Sequence, residues 1–461
     1  MSTETDAEKI ARLERENAEL RGLVEQLRRE LEEWKRGHRV RDRKRRGRQT
    51  KAPTGDADDT GSGAAPSERK SGRAKGHEGA GRPGPTHVDR VVPCRTEGPC
   101  ACGGGLRDLG VGRRHRVEEL VIRVEVTEYQ CMCQQCERCG AVTEAPLPAE
   151  LGGAPKVGPQ AQAVAIALRF DTGLPVSTIS RVFGEIFHLP FSPGGLSQMF
   201  ERNIAKFEPA TLEVRSRLLT EPVLYADETG WWMDGSRAWL FAATTEGLSV
   251  FHISPHRDRE TFLRIVPSWY AGITATDAYS VYDYLPEERH PQCWGHVLRT
   301  ARDLAEIHGD AADDAVKRSI LTFIDAAKAH RDVEWPSPST RAVAQSAFEA
   351  VLAAGSGATH PKLVTLGARL DRQRVRYLLC LDDKRVPLTT NQVERDLRGH
   401  IPVRKLSFGT RNPRGSLQWA EGTTLSKTLR KQGKRLVDYV PAALTAAARD
   451  APLPSVFAAP P

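Results

Sequence analysis

Two groups of residues in this chain have types and spacings that could do chemistry: a few acidic side chains and a run of cysteines. The acidic candidates are Asp227, Asp277 and Glu394. Residues 223–226 are short and apolar and end in Asp227, and residues 272–276 form a second short strand pattern ending in Asp277. Residues 390–400 read as a helix that carries Glu394. Carboxylates at strand ends are poor core residues, because burying an unpaired charge is costly. Three of them, placed strand, strand and helix, can hold two divalent cations, since hard oxygen donors suit magnesium or manganese. Two such ions, about 3.5–4 Å apart, activate the attacking oxygen and stabilise the leaving oxygen of an in-line phosphoryl transfer. The chain has 59 acidic residues, so spacing alone does not single these out against surface carboxylates or helix caps.

The second group is the cysteines, seven of nine lying between Cys94 and Cys139. Cys133, Cys136 and Cys139 form two overlapping C-x-x-C pairs, Cys131 is a further candidate, and Cys100 and Cys102 precede three glycines. Residues 118–130 alternate apolar and polar like a hairpin strand between the clusters. Two cysteine pairs on tight turns joined by strands make a zinc-ribbon-like module, with thiolates as the soft donors zinc prefers. The chosen ligand set is Cys100, Cys102, Cys136 and Cys139, although the spacing does not determine which four bind. Cys293 and Cys380 read as buried small apolar residues.

These groups must be positioned by a chain of 461 residues, too long for one core, with a formal net charge of +8 that favours a polyanionic partner. No stretch approaches the length of a membrane span and the N-terminus is acidic and polar, so a cytoplasmic protein without a membrane partner is expected. Residues 1–37 suit a coiled coil: Ile10, Leu13, Asn17, Leu20, Val24, Leu27, Leu31 and Trp34 alternate on a and d positions, and a homo-oligomer is expected over a single amphipathic helix packed on its own protein. Residues 38–90 form a basic linker too poor in apolar side chains to order itself. Its run Arg43, Lys44, Arg45 and Arg46 could neutralise DNA phosphates. Residues 91–150 form the cysteine-rich module. Residues 151–215 hold short helices with tight turns, which suit a helix-turn-helix reader and a helical packing module equally. Residues 216–430 contain the acidic candidates, and 431–461 read as a C-terminal tail.

Four motifs then resemble, in order, those of insertion-sequence transposases of the IS66 family. They are Tyr225-Ala226-Asp227-Glu228-Thr229-Gly230-Trp231; Thr276-Asp277-Ala278-Tyr279 with Tyr282; Cys293-Trp294-Gly295-His296 with Arg299; and Asn391-Gln392-Val393-Glu394-Arg395-Asp396-Leu397-Arg398 with Arg404-Lys405 and Phe408. Gly76-His77-Glu78-Gly79 and the cysteine-rich module also agree, so the likeness covers nearly the whole chain. One departure is local: the family pattern has Asp-Asn-Asn ahead of the glutamate helix, where this chain has Thr389, Thr390 and Asn391.

The resemblance implies a multidomain α/β protein with a ribonuclease-H-like catalytic core, in which Asp227, Asp277 and Glu394 form a DDE triad holding Mg²⁺ or Mn²⁺. The long interval before Glu394 would hold a helical insertion at about 297–385. The implied activity is DNA transposition: hydrolysis at each element end frees a 3′-hydroxyl, which then attacks target DNA. The partners would be double-stranded DNA, as terminal inverted repeats and target, and accessory proteins encoded by the same element. Arg395, Arg398, Arg404 and Lys405 form a basic cluster beside Glu394 that could grip phosphates. Glu228 and Asp283 lie near the triad motifs and could support it from behind, though a solvated surface role is favoured, and His296 either places a phosphate or a DNA end or merely starts a helix. The rival readings are a non-catalytic DNA-binding regulator derived from a transposase, and a nuclease that only hydrolyses.

Overall fold

The structure is a computed structural model that describes residues 87–95, 102–104, 106–107, 111, 113–151, 156–333 and 335–457. The expected coiled coil, the Arg43–Arg46 run and Cys100 lie outside the described residues. Two units divide the chain, one spanning 51–126 and the other the remainder. The described part of the smaller unit is extended and exposed, without helix or strand. The strand pattern over 118–130 is therefore not realised as a paired strand. Alternation marks a strand only where a partner and a core face exist, and Leu120, Val121 and Val126 here are all exposed.

In the larger unit a small hairpin comes first, β1 Cys133–Gln135 against β2 Val142–Glu144. Four helices follow: α1 Pro159–Phe170, α2 Val176–Glu185, α3 Pro193–Lys206 and α4 Glu208–Leu218. Their buried faces, including Ile166, Phe170, Phe183, Phe200 and Ile204, belong to the same core as the main sheet.

The main sheet contains β3 Val223–Met233, β4 Ser236–Thr244, β5 Ser249–Ser254 and β6 Ile273–Ala275, in the order β5-β4-β3-β6. Only β3 and β6 run parallel. The β3–β4 turn is Asp234-Gly235, both with positive φ (51° and 71°), the conformation that a two-residue hairpin matched to strand twist requires. Asp227 was expected at the end of a short strand but sits within an eleven-residue one, opposite Ala242 of β4. The polar run after Ala226 does not stop the strand because β4 pairs with it as far as Met233.

After the short helix α5 Arg259–Leu263 and β6, five helices run in succession: α6 Trp294–His308, α7 Ala311–Asp332, α8 Pro338–Ser356, α9 Pro361–Arg372 and α10 Arg374–Asp382. They have their own hydrophobic cluster, centred on Trp294, Phe323, Phe348 and Tyr377. The Trp294 ring lies 4.1 Å from that of Phe323, tilted by 34°, and donates its indole N–H to Tyr377 O at 2.9 Å. The chain then returns to the sheet through α11 Asn391–Arg398 and α12 His400–Ser407. It ends with α13 Pro413–Lys431 and α14 Leu436–Ala448. The segment read as a C-terminal tail thus contains a helix whose Leu436, Tyr439, Val440 and Ala443 are buried in the first core.

Candidate active site

The parallel register of β3 and β6 pairs Val223 with Ile273 and Tyr225 with Ala275. Continued two residues further, the same offset brings Asp227 level with Asp277. Adjacent strands lie about 4.8 Å apart and residues two positions on share a face, so the two carboxylates are neighbours. Along β3 the burial alternates. Leu224, Ala226 and Glu228 point into the core, while Tyr225, Asp227 and Thr229 occupy the less buried face.

Each aspartate accepts a nearby backbone N–H on Oδ1: Asp227 from Glu228 at 2.8 Å, and Asp277 from Tyr279 at 3.0 Å. Burial pushes the Asp227 carboxyl up to about 7, and the charges of Glu228 and Asp277 add to that shift while His296 opposes it. Two acids on adjacent strands therefore resist carrying both charges together.

Glu394 comes from α11, which packs on β3 and β4. Its carboxylate accepts two hydrogen bonds from Arg299 Nη2, at 2.9 and 3.2 Å. His296 Nε2 lies 3.7 Å from Glu394 Oε1, and Arg398 Nη2 lies 3.8 Å from Oε2. His296 is held up at about 9: proximity to Cys293 is the largest cause, burial opposes it, and the charges of Asp227 and Asp277 add to it. His296 Nδ1 is buried without a hydrogen-bond partner, so the Cys293 contact is not a formed bond. The surrounding carboxylates are the firmer reason for a cationic ring. His296 thus lies against Glu394 and within the electrostatic reach of Asp227 and Asp277.

Backbone ties fix this arrangement. Cys293 N donates to Thr276 O at 2.9 Å, joining the start of α6 to the residue before Asp277. Thr390 N donates to Cys293 Sγ at 3.2 Å, and Glu394 N donates to Thr390 O at 3.3 Å. One continuous path therefore links Asp277, the Cys293–His296 segment and the Glu394 helix. Thr390, where the chain departs from the family pattern, is buried in that path. Asp396 anchors the same helix from behind, accepting from Ser249 Oγ at 2.9 Å and from Lys431 Nζ at 2.7 Å.

Several residues differ from their sequence reading. Glu228 is not a solvated acid: its side chain is buried and bonded by Tyr282 Oη and by Arg257, whose Nε lies at 2.8 Å. Arg257, missed by the sequence reading, is stacked 4.3 Å from Trp239 and 3.8 Å from Tyr279. Asp283 is held by Arg376 at 2.6 Å. In the basic cluster Arg395, Arg398 and Lys405 are exposed, but Arg404 turns onto β3 and donates to Gly230 O and, at 3.4 Å, to Thr229 Oγ1.

In the cysteine module Cys136 and Cys139 lie on the turn after β1, closed by Cys136 N to Ala141 O at 2.8 Å and by Gly140 with φ 72°. Backbone N–H groups of Cys139 and Arg138 draw the Cys136 thiol below its ordinary range. Cys102 is described and exposed. Among the described residues no three His, Cys, Asp or Glu side chains already enclose a metal-sized space. A cleft of about 560 Å³ lined by Glu213, Arg217, Gly247, Gln432 and Phe457 contains none of the acidic triad.

The comparison with known proteins decides the family. The model of the transposase IS66 family matches residues 156–417, more than half of the chain. The chain belongs to the IS66 transposase family. The match begins before α1, runs through the sheet and the five-helix segment, and ends within α13, so it includes all three acids. Two proteins of Sinorhizobium fredii (strain NBRC 101917 / NGR234) are also similar. The uncharacterized protein y4qI is 24% identical over 252 residues, covering 48% of this chain and 46% of that one. The uncharacterized protein y4jO is 29% identical over 153 residues, covering 33% and 46%. The chain thus spans about half the length of these relatives. Among the described residues no helix is long and apolar enough to cross a membrane.

Proposed function

We propose that this IS66-family chain cuts and joins DNA by metal-dependent phosphoryl transfer, with Asp227, Asp277 and Glu394 as its acidic triad. The observation that supports the reading is the β3–β6 register, which, continued two residues past its last pair, sets Asp227 level with Asp277, together with the His296–Glu394 contact. A ribonuclease-H-like core is supported by the strand order β5-β4-β3-β6 and by the single parallel bridge from Thr276 to Gln292 beyond β6. That bridge stands where a fifth strand would be.

The donor set fits a hard divalent cation. Asp227 and Asp277 repel one another, each is oriented through Oδ1 by a backbone N–H, and Oδ2 of each is the oxygen available to a cation. Mg²⁺ or Mn²⁺ bound there would neutralise that charge and favour an oxygen nucleophile and leaving group on phosphorus. Glu394 completes the set by turning its carboxylate from Arg299. Arg299, exposed at the site rim, is then free for a phosphodiester oxygen, as a planar guanidinium suits. Arg398 and Lys405 neutralise neighbouring phosphates, while Arg404 holds β3 straight beyond Asp227.

The rest of the chain is proposed to serve the same substrate. Cys136 and Cys139 would serve as zinc ligands. The 1–37 coiled coil would pair two chains on two element ends, and accessory proteins of the element would assist.

An assay on uncut and pre-cut DNA ends tests the function. Joined product is expected with Mg²⁺ from both substrates. Cut product alone would indicate a nuclease, and binding without either product a regulator.

A further inference from the structure

Phe408, in the last motif, is used neither by the core nor by the acidic site. It directly follows α12 and is 77% exposed. Its φ is 51°, the left-handed region where glycine is unstrained and a bulky side chain is not. Gly409 continues the turn at φ 78°, and a Cβ there would lie 2.0 Å from Trp232 O. Thr410 N donates to Trp232 O at 2.9 Å, and Asp234 N donates to Thr410 O at 2.9 Å. The turn is thus clamped onto the end of β3, and the clamp holds an aromatic ring in water. Trp232, 43% exposed, lies at the same end of the strand.

Residues 397–420 contain five Arg or Lys and no acid. Arg414 is paired with Glu201 and Arg398 lies 3.8 Å from Glu394, whereas Lys405 and Arg411 are exposed. A nucleic acid supplies phosphates for these two cations and a base face for the ring. Trp232 is five residues along β3 from Asp227, roughly 17 Å at about 3.3 Å per residue, and the odd step puts their side chains on opposite faces of the strand.

We infer that Phe408, exposed beside the β3 end that carries Trp232, is a stacking platform that receives an unpaired DNA base. The inference rests on the DNA-processing reading above and deepens it.

The test uses the full chain, a blunt duplex, and a forked duplex carrying 2-aminopurine at its first unpaired positions. Wild-type protein is expected to change the 2-aminopurine fluorescence on binding. Phe408→Ala should lose that change and weaken forked-duplex binding about tenfold, with blunt-duplex binding within about twofold. Phe408→Trp should retain both. Phe408→Gly should lose the signal yet raise the melting temperature, because it relieves the left-handed backbone; a residue kept for stability would do the opposite. A wild-type fluorescence change in Phe408→Ala overturns the inference. So does an unchanged signal with reduced self-association in sedimentation, which would assign the ring to a protein partner. Failure of the wild type to bind either duplex overturns the DNA reading itself.

Discussion

Asp227 ionises against burial and against two neighbouring acids, which hold it up at about 7 instead of 3.8. A raised carboxyl contributes stability only below its unfolded value, and that contribution is lost as pH rises through about 7 in metal-free protein. A cation reverses the penalty, so proton and cation compete. Mn²⁺ affinity measured by calorimetry should rise about tenfold between pH 6 and pH 8 for the one proton displaced. Asp227→Asn should abolish that dependence, and a flat profile in the wild type would contradict the assignment. At this scale the strand settings of the two aspartates were legible because each stands in a distinctive short motif. Glu228 was misread although its parity with Leu224 and Ala226 marks the buried face. Arg257 was not legible at all. It meets Glu228 only through folding of the loop after β5, and no local pattern encodes that contact.

At the scale of elements, α11 is positioned by what lies behind it. Asp396 and Lys431 are largely buried and bonded to each other, so removing one partner strands the other. Asp396→Ala should cost about 3 kcal/mol, read by denaturant unfolding. It should lower cleavage by displacing Glu394, and unchanged stability would show the pair to be dispensable. The packing of α13 on α1 is as strict: a Cβ on Gly422 would meet the Phe170 ring at 2.4 Å, and Gly422→Ala should cost about 1–3 kcal/mol. His400 on α12 is buried, accepts the Trp419 indole N–H at 3.0 Å, and is pushed down by burial to about 3. Its folded value lies below its unfolded one, so stability is full above about 6.5 and falls as pH drops towards 3. At pH 5 it should account for about 2 kcal/mol of acid destabilisation, absent in His400→Phe. The strand β6 was legible from the short apolar run that ends before Asp277. The full length of β3 was not, because a polar, glycine-containing run is extended only by its pairing with β4. Residues 118–130 show the converse, a strand pattern with no partner to realise it.

At the scale of the whole molecule, the order of motifs along the chain carried more than any one of them. Asp277, the Cys293–His296 segment and Glu394 are far apart in sequence. The Thr276–Cys293–Thr390 hydrogen bonds that join them follow from tertiary structure, so only the recurrence of the whole set points to one site. The cysteine module is testable separately. Cys136→Ser should lose one bound zinc per chain by metal analysis and leave the far-ultraviolet spectrum of residues 156–457 largely intact; undiminished zinc would remove Cys136 from the ligand set. The central claim concerns the three acids acting together. The measurement that bears on it most directly is Mg²⁺-dependent strand cleavage by Asp227→Asn, Asp277→Asn and Glu394→Gln beside the wild type, with DNA binding recorded on the same samples. The account predicts that all three lose cleavage at least about a thousandfold and retain DNA binding; cleavage at the wild-type rate by any one of them would contradict it.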